Sequence, residues 1–266
     1  MDLGLEGQRC IVTGASRGIG AATARALAAD GAALVLAARS EAGLANVAGD
    51  CREAGAPAAE TVALDLAAPE AGERLAALCE EQLGGLEVVV NNAGATGMRP
   101  LDMQPDEDWE ALFALHVMAP LRLMRAAAPR MAERGYGRVV NVCSIAGRRP
   151  SPNNVAYSAT KAAQLSLSRA FADAYAGRGV LVNAVNPGAV AGSLWLSEGG
   201  MGDQVAAARG VTREQVMEEV AGTIPLGRYA TEEEIAWVIA FLCSRRASFV
   251  AGAAWSVDGG MVPAIY

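Results

Sequence analysis

The amino-acid sequence predicts an α/β fold: one doubly wound domain in which a seven-stranded parallel sheet carries helices on both faces. Two observations support this. Short, continuous apolar runs alternate along the chain with longer segments of helical composition, which is typical of parallel strands that are buried on both sides. A glycine-rich turn also follows the first apolar run and opens the first helical segment, as in folds that bind phosphates at a helix N-terminus. Since no repeat, linker or low-complexity tract interrupts the 266 residues, we expect a single domain over 1–266.

Seven apolar runs bounded by glycine, proline or polar residues give the predicted strands. These strands span residues 8–13, 32–38, 60–65, 86–91, 138–144, 180–185 and 249–257. The helices predicted between them span residues 19–29, 41–54, 69–83, 106–134, 155–176 and 231–243. The last of these helices begins with Thr231 and three glutamates, which predicts a capped and acidic N-terminus.

The composition excludes several classes of protein. A net charge of −7 and a pI of about 4.9 argue against non-specific binding to nucleic acid or anionic membranes. We expect no signal peptide, and no apolar run of the ~18 residues that a membrane span needs. Five widely spaced cysteines predict neither a disulfide framework nor a zinc site, and a single histidine excludes a histidine-rich metal site. A reducing cytoplasm is therefore the expected location.

Residues 14–20, with the sequence Gly-Ala-Ser-Arg-Gly-Ile-Gly, form the glycine-rich turn between the first strand and the first helix. Glycine lets a ligand approach the backbone closely, and the helix N-terminus offers free N–H groups at the positive end of its dipole. This combination predicts a site for the pyrophosphate of a dinucleotide. The predicted contacts are Gly14, Ser16, Arg17, Gly18, Ile19 and Gly20.

The end of the second strand predicts which dinucleotide binds. NAD-binding units carry an acidic residue near this point that holds the ribose 2′-hydroxyl, whereas an arginine accommodates a 2′-phosphate. Here the strand ends at Arg39, no acid lies between Asp30 and Glu41, and Arg17 stands in the glycine turn. Two guanidiniums near the ribose favour NADP(H) over NAD(H).

Polar or glycine-containing segments also follow the third, fourth and sixth strands. Because parallel strands end at one edge of the sheet, these segments are expected to meet around the same ligand. Asp65 is predicted to face an adenine edge. The candidates are Asp65, Leu66, Asn92, Ala93, Gly94, Pro187 and Gly188.

The helix predicted over 106–134 carries apolar residues at helical spacing, which predicts a mostly core-facing stripe. The stripe comprises Trp109, Leu112, Phe113, Leu115 and Val117. Pro120 and Pro129 are expected to kink or divide this helix.

Residues 191–223 are rich in glycine and charged residues, which predicts a flexible lid with one amphipathic helix at about 212–221.

The chemistry is indicated by Tyr157 and Lys161, which lie four residues apart on the helix 155–176. Side chains at this spacing share one helix face. A nearby ammonium stabilises a phenolate and lowers the tyrosine pKa from about 10. Tyr157 is therefore a candidate general acid or base for an alcohol or ketone. Ser144, where the fifth strand gives way to a turn, is placed to hydrogen-bond the same substrate oxygen.

Together these residues resemble the short-chain dehydrogenase/reductase family, and within it the 3-oxoacyl-acyl-carrier-protein reductase-like branch. The matching positions occur in family order over almost the whole chain: 13–20, 65, 91–94, 144, 157, 161, 186–188 and 257–260. The resemblance implies a Rossmann domain with Tyr157 as catalytic acid/base, Ser144 polarising the carbonyl, and Lys161 lowering the tyrosine pKa and holding the nicotinamide ribose. It also implies cofactor contacts from Tyr157, Lys161 and Val190, besides the strand-end residues named above.

Two positions depart from the family pattern. Relatives usually have an asparagine in the long helix, which completes a Ser-Tyr-Lys-Asn tetrad through a water to the lysine. By register with Trp109, that position here is His116, and since imidazole can also donate or accept a hydrogen bond, His116 joins the catalytic candidates. Many relatives also have a threonine that bonds the nicotinamide carboxamide where this chain has Gly192 and Ser193. Ser193 or a backbone group is expected to substitute.

The sequence therefore predicts an NADPH-dependent oxidoreductase that interconverts a ketone and a secondary alcohol, with reduction of a 3-oxoacyl thioester as one candidate activity. The alternatives are an NAD(P)-dependent hydroxysteroid or sugar-alcohol dehydrogenase and, from a different class, a non-catalytic NADP-sensing protein. Intact Ser144, Tyr157 and Lys161 argue against the non-catalytic alternative. The resemblance implies a homotetramer, or a dimer, with the long helices and the C-terminal strand as interfaces.

Overall fold

The computed structural model describes residues 3–97 and 99–263, and within them it confirms the predicted doubly wound sheet. Seven parallel strands are paired in the order β3-β2-β1-β4-β5-β6-β7. The strands are β1 Arg9–Thr13, β2 Ala33–Ala38, β3 Ala59–Ala63, β4 Val88–Asn91, β5 Gly137–Val142, β6 Val180–Pro187 and β7 Ala254–Val257. β1 lies between β2 and β4, so the winding reverses there and opens a crevice at the carboxyl ends of the strands.

Helices cover both faces of the sheet. They are α1 Gly18–Ala29, α2 Glu41–Ala54, α3 Ala71–Leu83, α4 Asp106–Phe113, α5 Ala119–Glu133, α6 Val155–Tyr175, α7 Ser193–Leu196, α8 Met201–Arg209, α9 Arg213–Thr223 and α10 Glu232–Cys243. Buried residues of α1, α2 and α10 pack in one apolar layer, and those of α3, α5 and α6 pack in the other. The predicted cap of the last helix is confirmed, because Thr231 and Glu234 form a reciprocal capping box.

Alternation of side chains along the strands assigns them to the two layers. In β1, Cys10 and Val12 join the layer of α1 and α10, whereas Ile11 joins the layer of α3 and α5. In β2, Leu34 and Val35 divide in the same way. Because β2 is covered on both faces, all six of its positions are apolar and buried, and each large buried side chain contributes roughly 1.5–3 kcal/mol to stability.

The long helical stretch is divided near Pro120, as predicted. A π-helical turn, Ala114–Met118, separates α4 from α5 immediately before this proline. Proline has no N–H to donate to the carbonyl one turn earlier, so a widened turn accommodates it. Pro129, by contrast, lies inside α5 without dividing it.

The prediction that the apolar stripe faces the core is wrong for α4. None of its side chains is fully buried, and Phe113 is 39 % exposed. Apolar spacing marks a helix face that avoids water, but it does not specify whether that face meets the core of its own chain or another surface.

The region 191–223 is more helical than predicted. Three helices, α7, α8 and α9, replace the expected loop with one helix. Of these, α7 and α9 contribute to a small apolar cluster in which the Trp195 and Tyr229 rings meet edge to face, with centroids 5.6 Å apart. The last strand is shorter than predicted, because β7 begins at Ala254 and Phe249 is fully exposed.

One expectation about membrane spans is also wrong. The helical stretch Asp106–Glu133 is long and apolar enough to qualify as a span by length and composition. Helices in the core of a soluble protein meet the same two criteria, and the apolar face of α5 packs against α3 and β5.

Candidate active site

A cleft of about 720 Å³ runs along the carboxyl ends of the central strands. It begins at the ends of β2 and β3, passes the glycine turn after β1 and the segment after β4, and reaches the ends of β5 and β6. Predicted catalytic and cofactor residues therefore share one continuous cavity. Those that line it are Gly14, Ser16, Arg17, Gly18, Ile19, Arg39, Asp65, Leu66, Asn92, Ala93, Gly94, Ser144, Tyr157, Lys161, Pro187, Gly188 and Val190.

The glycine turn is held in shape by Asn92. Its side-chain amide donates to the carbonyl oxygens of Thr13 at 2.9 Å and Gly14 at 3.2 Å. Gly14 has φ +65°, and a Cβ there would lie 2.8 Å from the Cα of Ala93. The turn thus depends on glycine and leaves the N-terminus of α1 facing the cleft, which fits a pyrophosphate.

Gly20 has a different role from the predicted one. It is buried and does not line the cleft, and a Cβ at this position would overlap the Gly14 carbonyl oxygen and the Asn92 side chain. It therefore permits close packing of α1 against the turn and is not a direct ligand contact. For Ser193, only the backbone is described, so the predicted contact of its side chain lies outside the described atoms.

Arg17 and Arg39 form a cationic end of the cleft. Both side chains are exposed and line it, and neither makes an ion pair with a carboxylate in the described parts of the chain. Ser40 lies beside them and caps α2 by accepting from the Gly43 N–H at 3.2 Å. This end has the donors that a ribose 2′-phosphate requires.

Ser144 and Tyr157 meet at the other end. The Ser144 hydroxyl accepts from the Ala146 N–H at 3.1 Å, which fixes it at the start of a short 3₁₀ turn. It also hydrogen-bonds the Tyr157 hydroxyl, which lowers the tyrosine pKa. Burial has the larger effect, so the net pKa of Tyr157 is raised. The expected lowering is therefore not found in the protein alone, and the phenol is fully protonated at neutral pH.

Lys161 is 3 % exposed, and its ammonium has two protein acceptors. The Nζ atom donates to the Val142 carbonyl at 2.9 Å and to Gln164 Oε1 at 3.0 Å. It also lies 5.8 Å from the centroid of the Tyr157 ring. Burial lowers the pKa of Lys161 to about 8, so the charge of this side chain changes close to neutral pH.

His116 does not line the cleft. It is completely buried in the π-helical turn, behind the backbone of Gly94 and Ala95. Nε2 accepts from the Ala95 N–H at 3.0 Å, and Nδ1 lies 2.9 Å from the Thr160 hydroxyl oxygen. Both ring nitrogens therefore have protein partners, whereas the sequence predicted a water leading to Lys161.

The polar residues in or beside the cleft that were not anticipated as site residues include Ser40, Thr96, Gln164 and Glu232. Three of them have a local signal: Ser40 follows Arg39 at a strand end, Thr96 follows Gly94, and Gln164 lies three residues after Lys161 on the same helix. Glu232 reaches the site through the packing of α10 against the segment after β6, which spacing along the chain does not reveal.

The chain is similar to known proteins over almost its whole length. Residues 8–198 match the family described as short chain dehydrogenase. The chain is 32% identical to galactitol 2-dehydrogenase of Agrobacterium fabrum over 257 residues, covering 96% of this chain and 98% of the relative. It is 31% identical to a 3-oxoacyl-[acyl-carrier-protein] reductase of Thermotoga maritima over 259 residues, covering 97% and 99%.

A solved structure shares the whole fold. L-sorbose reductase of Gluconobacter frateurii, complexed with NADPH and L-sorbose, is similar over 100% of both chains, with a TM-score of 0.93 and 33% identity.

Proposed function

The chain belongs to the short-chain dehydrogenase/reductase family, and the relatives described above are named as dehydrogenases or reductases. We propose that this protein reduces a ketone to a secondary alcohol with NADPH. The reverse oxidation uses the same groups. The observation that carries the proposal is the shared cleft, in which Ser144, Tyr157 and Lys161 lie at one end and Arg17 and Arg39 at the other.

NADPH supplies the hydride when it is bound. The residues of the protein supply the proton and the orientation. Ser144 hydrogen-bonds the carbonyl oxygen, and Tyr157 donates its phenolic proton to the same oxygen as the alcohol forms. Burial raises the pKa of Tyr157 and so keeps this proton in place at neutral pH, which suits a general acid in the direction of ketone reduction. The cation of Lys161 stabilises the phenolate that remains.

Two local features support a dinucleotide cofactor, and the second favours NADP(H). The turn at Gly14 requires glycine, since a Cβ there would collide with Ala93, and it leaves the N-terminus of α1 facing the cleft, where phosphates can bind. Arg17 and Arg39 line the same cavity without an ion pair among the described residues, and a 2′-phosphate would give them an anionic partner. Asp65 lines the adenine side of the cavity and caps its own loop through the Ala67 N–H.

For the substrate, reduction of a 3-oxoacyl thioester is one proposal, supported by the similarity to the Thermotoga maritima enzyme. Interconversion of a sugar and a sugar alcohol is the second, and the similarity to galactitol 2-dehydrogenase and L-sorbose reductase supports it.

We also propose a homotetramer or dimer in the cytoplasm. Large apolar side chains are exposed on α10 and beside β7, where Trp237 is 63 % exposed and Phe249 is fully exposed. Phe241 stacks on Trp255 in the same region. A second copy covering this surface would remove it from water.

The proposal is tested by following NADPH absorbance with 3-oxoacyl thioesters, ketoses and steroid ketones in parallel. NADPH consumption with any of these classes supports the enzyme and names its substrate class. Tight NADPH binding without turnover of any carbonyl or alcohol would instead favour the non-catalytic, NADP-sensing alternative.

A further inference from the structure

Glu232 brings a carboxylate to the cleft. It is the first residue of α10, it is partly buried, and its side chain lines the cavity together with Gly188, Val190 and Gly192. Neither the catalytic residues nor the phosphate-binding residues account for an acidic group in this position.

The backbone fixes Glu232 against the segment that follows β6. Ala230 donates its N–H to the Ala189 carbonyl at 3.0 Å, and its own carbonyl accepts from the Ala191 N–H at 2.8 Å. These two hydrogen bonds form a parallel bridge between Val190 and Ala230. The start of α10, and with it the backbone that carries Glu232, is therefore tied to the wall of the cleft.

Gly192 leaves room for the carboxylate. A Cβ built on Gly192 would overlap Glu232 Oε1, and it would lie 3.0 Å from Cδ and 3.2 Å from Cγ. This glycine has no left-handed φ to explain it. The absence of a side chain at Gly192 thus leaves the space that the Glu232 carboxylate occupies.

The position of Glu232 along the cleft determines what it faces. The cationic end, Arg17 and Arg39, lies at the carboxyl ends of β1 and β2. Ser144 follows β5, and Gly188 follows β6, at the opposite end. In a dinucleotide whose phosphates bind near the arginines, the hydride-carrying ring must reach Ser144 and Tyr157. Glu232 lies at that end.

We propose that Glu232 makes the cleft distinguish the two oxidation states of the nicotinamide, an inference that rests on the proposed NADP(H)-dependent function. The nicotinamide ring is cationic when oxidised and neutral when reduced, so a fixed carboxylate nearby stabilises only the oxidised form. Glu232 therefore strengthens NADP⁺ binding relative to NADPH. On the enzyme, it favours the direction in which the cofactor becomes oxidised and a ketone becomes an alcohol.

The test is to measure the Kd of NADP⁺ and of NADPH separately by calorimetry. Glu232→Gln should raise the Kd of NADP⁺ relative to that of NADPH by about three- to tenfold, as expected for loss of one partly screened charge interaction. Glu233→Gln is the matched control. It removes the same charge from the next residue of the same helix turn, which is exposed, and should leave the ratio unchanged.

A second variant addresses the geometry. Gly192→Ala keeps the carboxylate but forces it away, and should shift the ratio in the same direction as Glu232→Gln. Equal changes in both Kd values, or no change in either, would overturn the proposal and reduce Glu232 to a structural contact. Absence of binding of both nucleotides to the unmodified protein would instead refute the proposed function itself.

Discussion

The Nδ1 atom of His116 and the hydroxyl oxygen of Thr160 lie 2.9 Å apart, and this pair ties the long helix to the helix that carries Tyr157. The backbone N–H of Ala95 must donate to Nε2, so the neutral ring carries its proton on Nδ1 and donates it to Thr160. The Thr160 hydroxyl in turn donates to the Tyr157 carbonyl at 2.8 Å. His116 therefore positions the cleft wall and the Tyr157 turn together.

This role predicts how His116 tolerates substitution. His116→Asn offers one donor and one acceptor and should keep most of the activity. His116→Leu leaves the Ala95 N–H and the Thr160 hydroxyl without their partner, which costs about 1–3 kcal/mol of stability, and should lower kcat/KM at least about tenfold. Thermal unfolding and steady-state kinetics on both variants check this. A fully active and stable Leu variant would show that His116 is only a packing residue.

The imidazole of His116 should stay neutral throughout the physiological range. Burial, together with the charge of Lys161, lowers its pKa to about 2. Because this is the only histidine of the chain, a single imidazole NMR signal should not shift between about pH 5 and pH 8, whereas a free histidine titrates near 6.5. A signal that titrates with a pKa near 6.5 would contradict the buried position.

The same lowered pKa predicts acid sensitivity. Below pH 6.5 the unfolded chain binds a proton at His116 that the folded protein does not bind until about pH 2. The free energy of unfolding therefore falls as the pH falls through this window, by up to about 1.4 kcal/mol per pH unit from this group. In denaturant titrations from about pH 5 to pH 6.5, His116→Asn should show a slope that is shallower by about one proton. Identical slopes would mean that the residue titrates normally in the folded state.

Gln164 should set the charge of Lys161. Its Oε1 accepts from the Lys161 ammonium at 3.0 Å, and this bond favours the charged form of Lys161. Burial has the opposite effect and lowers the pKa of Lys161 to about 8. Gln164→Leu should lower that pKa further and move the alkaline limb of the kcat/KM profile to lower pH, whereas Gln164→Glu should move it to higher pH. If the alkaline limbs of the two variants shift in the same direction, or if neither shifts, Lys161 does not govern this limb.

Arg39→Asp, alone or with Arg17→Ala, should reverse the cofactor preference. Each charge-assisted hydrogen bond to a 2′-phosphate contributes about 1.5–3 kcal/mol, and an aspartate adds repulsion of the phosphate. The ratio of kcat/KM for NADPH over NADH should fall by about tenfold or more per lost contact. An unchanged ratio would refute the phosphate-binding role of both arginines.

Much of the architecture could be predicted from the sequence, because parallel strands and a glycine turn leave local signals. All seven strands were found, although β7 was predicted to start at 249 and begins at Ala254. Gly20 was predicted as a cofactor contact, whereas in the structure it is a packing position. The helices α7 and α8 were missed, since glycines near their ends obscured these short helices. In α7, Trp195 contacts Tyr229, which is distant along the chain.

Prediction of the candidate active site from the sequence had similar limits. Tyr157, Lys161 and Ser144 belong to recognisable local patterns, and the structure brings them to one cleft. The contact of Glu232 could not be predicted, because it depends on how α10 packs against the segment after β6. Gln164 was overlooked, although it lies three residues after Lys161 on the same helix face. The raised pKa of Tyr157 was also not foreseen, since a spacing of four residues reveals the neighbouring lysine but not the extent of burial.

The central claim is that Tyr157 supplies the proton to a carbonyl oxygen, and Tyr157→Phe tests it most directly. This substitution removes only the hydroxyl and keeps the ring that packs edge to face on His116, with centroids 5.5 Å apart. With the substrate identified in the NADPH assay, we predict that kcat falls about 10²–10⁴-fold while the Kd of NADPH stays within about twofold. A variant that binds NADPH and turns over at a near-normal rate would contradict the account.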